Sequence, residues 1–296
     1  MRKVLVLGQN GQVSHYLQNA LSVDYDLHVS SRDELDLSNT ARIAGYLKQI
    51  SADVIINPAA YTAVDKAEEE SELAFKINRD AVKEIANYCA STNTPLIHFS
   101  TDYVFSGNAD KAYLESDKTE PKSVYGQSKL DGEQMIIQSG APALILRTAW
   151  VYSNQGTNFY KTMLRLAQER TELSIVNDQF GSPTYAGSIA KITKTVLDEV
   201  IKQGGIGDLQ KGIYNLTCQG KTSWYEFAKR IFQLHGHHQL EVKGIPSNEY
   251  PTPAQRPAFS VLNGDKLQSV FGVRLPSWDD ALQECVMQTK QVDANE

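Results

Sequence analysis

The sequence predicts an α/β fold in which a doubly wound parallel sheet carries a smaller, mixed second lobe. Three observations lead there. Short apolar runs alternate with helical stretches through the first half. A glycine turn joins the first run to the first helix. The second half loses this alternation, yet no clean linker separates it from the first.

The elements follow in order. Lys3–Leu7 (KVLVL) is a short apolar run bounded by glycine, and residues 53–57 (DVIIN), 95–99 (PLIHF) and 143–146 (ALIL) share its character. Unbroken apolar runs of this length read as strands covered on both faces. Residues 27–30 form a weaker second strand. Helices are expected over 12–21, 40–50, 65–91 and 128–138. In the second half, helices are expected over 158–169, 185–202 and 224–233, the last preceded by Thr222 and Ser223 as possible caps. Residues 203–212 read as a loop, and 247–257 (SNEYPTPAQRP), with three prolines, as extended or irregular chain. The expected organisation is a nucleotide-binding unit over 1–150, rejoined by about 181–206, with a substrate lobe from 151–180 and 207–296. The lobe should grow from the carboxyl ends of the strands, where open α/β sheets bind ligands.

Composition narrows the class. The chain has 296 residues, 41% hydrophobic and 22% charged. That is ordinary globular usage and excludes a disordered tail or a coiled-coil rod. Lys plus Arg is 29 against 35 Asp plus Glu, a net charge of −6. This balance gives no reason to expect nucleic acid or an anionic membrane as partner. Cys89, Cys218 and Cys285 are far apart and match neither a disulfide framework nor a thiolate metal site. No run approaches a membrane span, and Gly8 to Asn10 interrupt the first apolar run before a signal segment could form. A soluble, cytoplasmic protein is expected.

The first strand enters Gly8-Gln-Asn-Gly11-Gln-Val-Ser14, and a helix follows. Glycine tightens the turn and lets backbone approach a pyrophosphate, at which the first helical amides point. Gly8, Gly11, Gln12 and Val13 are therefore candidate cofactor residues in a Rossmann-like unit. Ser14 stands where the third glycine of such turns is usual. The bland alternative is a turn that binds nothing. A carboxylate at the end of strand two would suit the ribose of NAD; Ser31 and Arg32 stand there instead. Arg32 can pair with a 2′-phosphate, the NADP arrangement, or be an ordinary solvated arginine. Asp36 and Leu37 can meet the adenine edge.

Strand four leads into Ser100-Thr-Asp-Tyr-Val-Phe105, and Tyr125-Gly-Gln-Ser-Lys129 opens a later helix. Tyr125 and Lys129 are four apart and share a face. A free phenol titrates near 10; a neighbouring ammonium is expected to lower that value and ready Tyr125 for proton exchange with a carbonyl or alcohol oxygen. Thr101 can bond the same oxygen, and Lys129, with Tyr125 beside it, can also hold the nicotinamide ribose of the cofactor. Tyrosine and lysine at this spacing occur on many helices, and the position after a hydroxyl-bearing strand end gives the pair its weight.

The combination resembles the extended short-chain dehydrogenase/reductase superfamily. Longer strings narrow the resemblance: NPAAYTAVDKAE over 57–68, STDYVF over 100–105, VYGQSK over 124–129, RTAWVY over 147–152, NFYKTMLRL over 158–166, NDQFGSPT over 177–184 and YPTPAQRP over 250–257. Together they are similar to the dTDP-4-dehydrorhamnose reductase family over nearly the whole chain. The resemblance implies reduction of the C4 ketone of dTDP-4-dehydro-L-rhamnose, with Thr101, Tyr125 and Lys129 as the catalytic trio. It puts Gly11, Gln12, Val13, Asp36, Leu37, Ala60, Tyr61 and Thr62 on cofactor positions, and Thr101, Asp102 and Trp150 on sugar positions. NADPH is the expected cofactor, with NADH possible. Some members hold magnesium between subunits through a carboxylate early in the first helix. Here that stretch reads His15-Tyr16, so no metal is expected, and the protein should be a monomer or weak homodimer.

In the second lobe, Arg256 is a candidate for the substrate's diphosphate, since a guanidinium fork matches phosphate oxygens; alternatively it caps a surface loop. Asn158, Gln179 and Phe180 are candidates for lining the pocket, with Phe180 as a core residue the alternative. The histidines at 235, 237 and 238 are read as a helix-terminal turn rather than a metal site. The acidic run 68–72 is read as the solvated first turns of a long helix, and Trp224 and Trp278 as packing residues. Three other functions remain open: a ketoreductase for another dTDP-deoxysugar, an epimerase or dehydratase on the same scaffold, and a non-catalytic NADP-binding regulatory subunit.

Overall fold

The computed structural model describes residues 1–293. Its centre is a six-stranded sheet built from β1 (Lys3–Leu7), β2 (Asp26–Ser30), β3 (Val54–Asn57), β4 (Leu96–Thr101), β5 (Ala143–Thr148) and β10 (Gly212–Asn215), in the order β10-β5-β4-β3-β1-β2. Every pairing is parallel. Side chains alternate between the faces, which is why the strands read as unbroken apolar runs. Val4, Val6, Ile56, Phe99 and Leu146 enter one core; Leu5, Leu7, Ile55, Leu96 and Ile145 enter the other.

Helices cover both faces. α1 (Gln12–Leu21) and α8 (Ala186–Lys202) lie side by side on the first, giving it Leu17, Leu21, Ile189, Val196 and Val200. α2 (Ile43–Ile50), α5 (Ala81–Thr92) and α6 (Val124–Ser139) supply Ile43, Leu47, Val82, Ile85 and Ile136 to the second. β10 is a strand that the sequence reading missed, because only Ile213 and Tyr214 mark it as apolar. Its register, Ile213 beside Ile145 and Tyr214 beside Leu146, puts it at the sheet edge.

The smaller lobe follows β5. It contains β6 (Val151–Tyr152), α7 (Phe159–Glu169), β7 (Glu172–Val176), β8 (Phe180–Gly181), β9 (Thr184–Tyr185), β11 (Thr222–Ser223), α9 (Trp224–Leu234), β12 (Glu241–Ile245), α10 (Asp265–Phe271) and α11 (Trp278–Asp293). Its strands pair two by two, β6 with β9, β7 with β12 and β8 with β11. Phe227 and Ile231 of α9 and Leu282 of α11 join the same core as Val4 and Leu17, so apolar packing runs unbroken from the sheet into the lobe. The expected turn after α9 is present, and His235 there shares a 2.8 Å hydrogen bond with Tyr160. All three cysteines are buried free thiols, Cys89 in one core and Cys218 and Cys285 in the other.

The expected helix over 65–91 is four pieces: α3 (Val64–Ala67), α4 (Ser71–Phe75), a π-helical turn over Lys76–Asp80, then α5. The wide turn brings Asn78 inward. Its amide accepts the Tyr61 N–H at 2.8 Å and donates to the Tyr61 carbonyl and the Ser128 hydroxyl, both at 3.0 Å. The acidic run is likewise not one solvated helical face. Glu68 accepts the Val124 amide at 2.9 Å and Glu70 the Tyr61 hydroxyl at 2.6 Å.

α6 is fastened to the sheet by a buried ion pair. Arg147 of β5 donates to both oxygens of Glu133, at 2.9 and 2.6 Å. The two side chains are 2% and 0% exposed. Removing one partner strands a charge in the interior. Glu133→Ala is expected to cost about 3–5 kcal/mol of folding stability, seen as a lowered urea midpoint with the slope unchanged. An unshifted midpoint would show that the pair does not hold the helix.

Candidate active site

A cleft of about 750 Å³ opens where the ends of the sheet strands meet the smaller lobe. Its cofactor end begins at Gly8, whose φ of +85° lies in the left-handed region. A Cβ there would also come within 2.8 Å of the Ala59 Cβ, so the turn needs glycine twice over. Gly11 caps α1, and Gln12 and Val13 begin it; all three line the cleft, where a helix start offers its first amides to an anion. Ser14 is fully buried, so serine fits the close packing that a third glycine would serve. The residues present therefore suit a dinucleotide: a glycine cradle backed by free helix amides.

Arg32, Asp36, Leu37, Ala60 and Thr62 also line this end. Arg32 is largely exposed and reaches Asp36 at 3.7 Å. Ser31 and Tyr61 do not line the cleft. Ser31 closes a local turn with Glu34, through bonds of 2.7 and 3.3 Å, and the Tyr61 hydroxyl turns to Glu70.

Thr101, Asp102, Tyr125 and Lys129 meet at the cleft floor. β4 ends at Thr101, whose hydroxyl accepts the Tyr103 amide at 3.2 Å and donates to Asp102 at 3.0 Å. Tyr125 sits in the first turn of α6, which Ser123 caps through the Gly126 amide at 3.1 Å. Gly126 and Gly132 let α6 lie directly on the backbone of Tyr103 and Asn78; a Cβ at either would strike a carbonyl oxygen.

Desolvation dominates the electrostatics. It pushes the Tyr125 phenol up to about 12, against a lowering hydrogen bond from Thr101 and with Asp102 adding to the rise. It pulls the Lys129 ammonium down to about 8, against the opposing charge of Glu133. It raises Asp102 to about 6, against hydrogen bonds from Ser260 and Thr101. The expectation that Lys129 lowers the phenol is therefore corrected. Lys129 Nζ donates to the Phe99 carbonyl at 2.7 Å instead, and the phenol keeps its proton at neutral pH.

At the lobe side, Trp150 adopts φ +47° and stacks on Trp224 with ring centroids 3.5 Å apart and 4° between planes. Gly181 leaves room for the Trp150 indole. Trp224 packs, as expected, and also lines the cleft, which the sequence reading missed because a lone tryptophan beside a helix start carries no functional signal. Asn158 lines the cleft too. It caps α7 and donates to Gln12 at 2.8 Å, tying the lobe to the cofactor turn.

Gln179, Phe180 and Arg256 are not brought into the cleft lining. Gln179 donates to Ser247 at 3.0 Å. Phe180 is 38% exposed under Lys221, so it is neither core nor pocket wall. Arg256 makes a two-pronged pair with Asp65, at 3.0 and 2.8 Å, and holds the proline-rich loop against α3.

A dinucleotide cradle and a Thr–Tyr–Lys floor, together on a parallel sheet, define a nicotinamide-dependent oxidoreductase of the short-chain dehydrogenase/reductase kind. Residues 1–291 match the family described as RmlD substrate binding domain. A dTDP-4-dehydrorhamnose reductase of Sinorhizobium fredii is 42% identical over 287 residues, 96% of each chain. Among solved structures, a dTDP-4-dehydrorhamnose reductase of Clostridium acetobutylicum superposes with a TM-score of 0.90 at 36% identity, covering 97% of this chain and 99% of that one. One from Bacillus anthracis, in complex with NADP, gives 0.89 at 34% identity with the same coverage. The chain belongs to the dTDP-4-dehydrorhamnose reductase family.

Asp102 carries a stability prediction. Its folded carboxyl titrates near 6, above the ordinary 3.8. Its contribution to stability is therefore full below pH 3.8 and lost as pH rises through about 6. Asp102→Asn removes that cost and is expected to stabilise the protein at pH 8 by about 3 kcal/mol, with the gain vanishing in acid. Urea denaturation at both pH values measures this; an equal gain at both would assign it to packing.

Proposed function

We propose that the protein reduces the C4 ketone of dTDP-4-dehydro-L-rhamnose to dTDP-L-rhamnose, with NADPH as preferred reductant and NADH as a possible substitute. The observation that carries this reading is the Thr101–Tyr125–Lys129 floor beneath a dinucleotide cradle, in a chain related over 96% of its length to a protein named for that activity. Gly8, Gly11, Gln12 and Val13 hold the pyrophosphate, Asp36 and Leu37 the adenine edge, and Ala60 and Thr62 the passage across the sheet top. Arg32 takes the 2′-phosphate by turning from Asp36.

A nicotinamide held in this cleft would supply the hydride for C4. Thr101 and Tyr125 hold the ketone oxygen, and the phenol, protonated at neutral pH, gives its proton to that oxygen as charge develops there. Asp102 and Trp150 orient the sugar. Asn158 fixes the cofactor turn against the lobe. Arg256 reaches the diphosphate by exchanging Asp65 for phosphate. No helix among the described residues is long and apolar enough to cross a membrane. A cytoplasmic monomer or weak homodimer completes the reading.

NADPH oxidation with the ketosugar, followed by identification of dTDP-L-rhamnose, tests the proposal. No oxidation by folded, NADPH-binding protein would overturn it. Tyr125→Phe is expected to slow turnover about a hundredfold or more while NADPH binding is retained; unchanged turnover would remove Tyr125 as proton donor. Arg32→Ala is expected to raise the KM for NADPH about tenfold and leave that for NADH unchanged. Equal effects on both would make Arg32 an ordinary surface residue.

A further inference from the structure

Lys129 Nζ lies against β4, with the Phe99 carbonyl at 2.7 Å and His98 Nε2 at 3.4 Å. His98 is 0% exposed, and its other ring nitrogen, Nδ1, is 3.1 Å from the Asn57 amide nitrogen. Asn57 has one orientation here, because its Oδ1 accepts the Ala59 N–H at 3.2 Å and its NH2 is left facing the imidazole. An NH2 group only donates, so Nδ1 must accept, and a neutral ring then carries its proton on Nε2. That N–H points at Lys129. An ammonium has three donors and no acceptor and cannot use it. The uncharged amine can, its lone pair taking the His98 N–H while one of its own hydrogens serves Phe99. His98 does not escape by taking a second proton, since burial holds it neutral, and Lys129 adds to that while it is charged.

We propose that His98, locked by Asn57 into the tautomer with its proton on Nε2, is a positioning residue that favours the uncharged amine of Lys129 and so sets the pH at which the site loses its cation. The ammonium, denied an acceptor at His98, keeps the Phe99 carbonyl as its acceptor. The other ionisable groups around it are Tyr125 and Glu133 on α6, Arg147 on β5, which already pairs with Glu133, and Asp102 and Tyr103 after β4. The link to catalysis rests on Lys129 holding the nicotinamide ribose as a cation in the proposed reductase; the tautomer does not.

Two measurements test this separately. Long-range proton–nitrogen spectra of protein labelled with nitrogen-15 in histidine, assigned by difference from His98→Gln, are expected to show a proton-bearing Nε2 and a bare Nδ1 at 98 throughout the neutral range. They need no substrate, so their outcome is independent of the reductase reading. In pH profiles of kcat, His98→Leu is expected to move the alkaline limb up by about one unit. His98→Gln, which can place an N–H at the same point, is expected to move it less. A proton on Nδ1, or an unmoved limb in a His98→Leu protein that still binds NADPH, overturns the proposal. Should His98→Leu not fold, the spectrum decides.

Discussion

Glu133 and Arg147 meet in the interior, and the placement of α6 depends on that meeting. The buried face of this helix is Gly126, Ser128, Lys129, Gly132, Glu133 and Ile136. Such a face contains one large apolar side chain and cannot position itself by hydrophobic burial. Polar contacts do it instead. Glu133 pins the middle of the helix to β5, Asn78 holds Ser128, and Glu68 takes the first amide. Since hydrogen bonds are directional where apolar contact is not, they fix rotation as well as distance. Tyr125 and Lys129 inherit that fixed rotation.

The floor shows one force acting on three different acids. Desolvation moves Tyr125 and Asp102 up and Lys129 down, each toward its neutral form. From the sequence, a charged lysine is expected to lower the titration of the phenol. The structure, with Lys129 turned to a backbone carbonyl, favours a neutral phenol, the form that donates in the reductive direction. Only the surroundings of the two residues, not their spacing, distinguish these cases.

The same distinction explains what could be read in advance. β1, β3, β4 and β5 were legible because strands covered on both faces must be apolar throughout. β10 was not, since an edge strand of four residues carries too little pattern. The interruption at 68–70 and the widened turn at 76–80 left no proline or glycine to mark them; Asn78, inside that turn, is held by partners at 61 and 128. Thr101, Tyr125 and Lys129 were legible from spacing and position, and Trp150 from its string. Gln179, Phe180 and Arg256 belong to strings of the same kind but face Ser247, solvent and Asp65. A string locates a residue in a family without saying which way its side chain turns. His98 offered the opposite chance: a polar residue inside an apolar strand is itself a signal.

The free thiols have a consequence of their own. Burial pushes Cys89, Cys218 and Cys285 up to about 12, so none presents a thiolate while its surroundings stay closed. Cys89 belongs to one face of the sheet and the other two to the opposite face and the lobe. Each thiol thus acts as a clock for the layer that encloses it. Equal labelling rates would mean that the layers come apart as one cooperative unit, and unequal rates would divide the molecule along the plane of its own sheet.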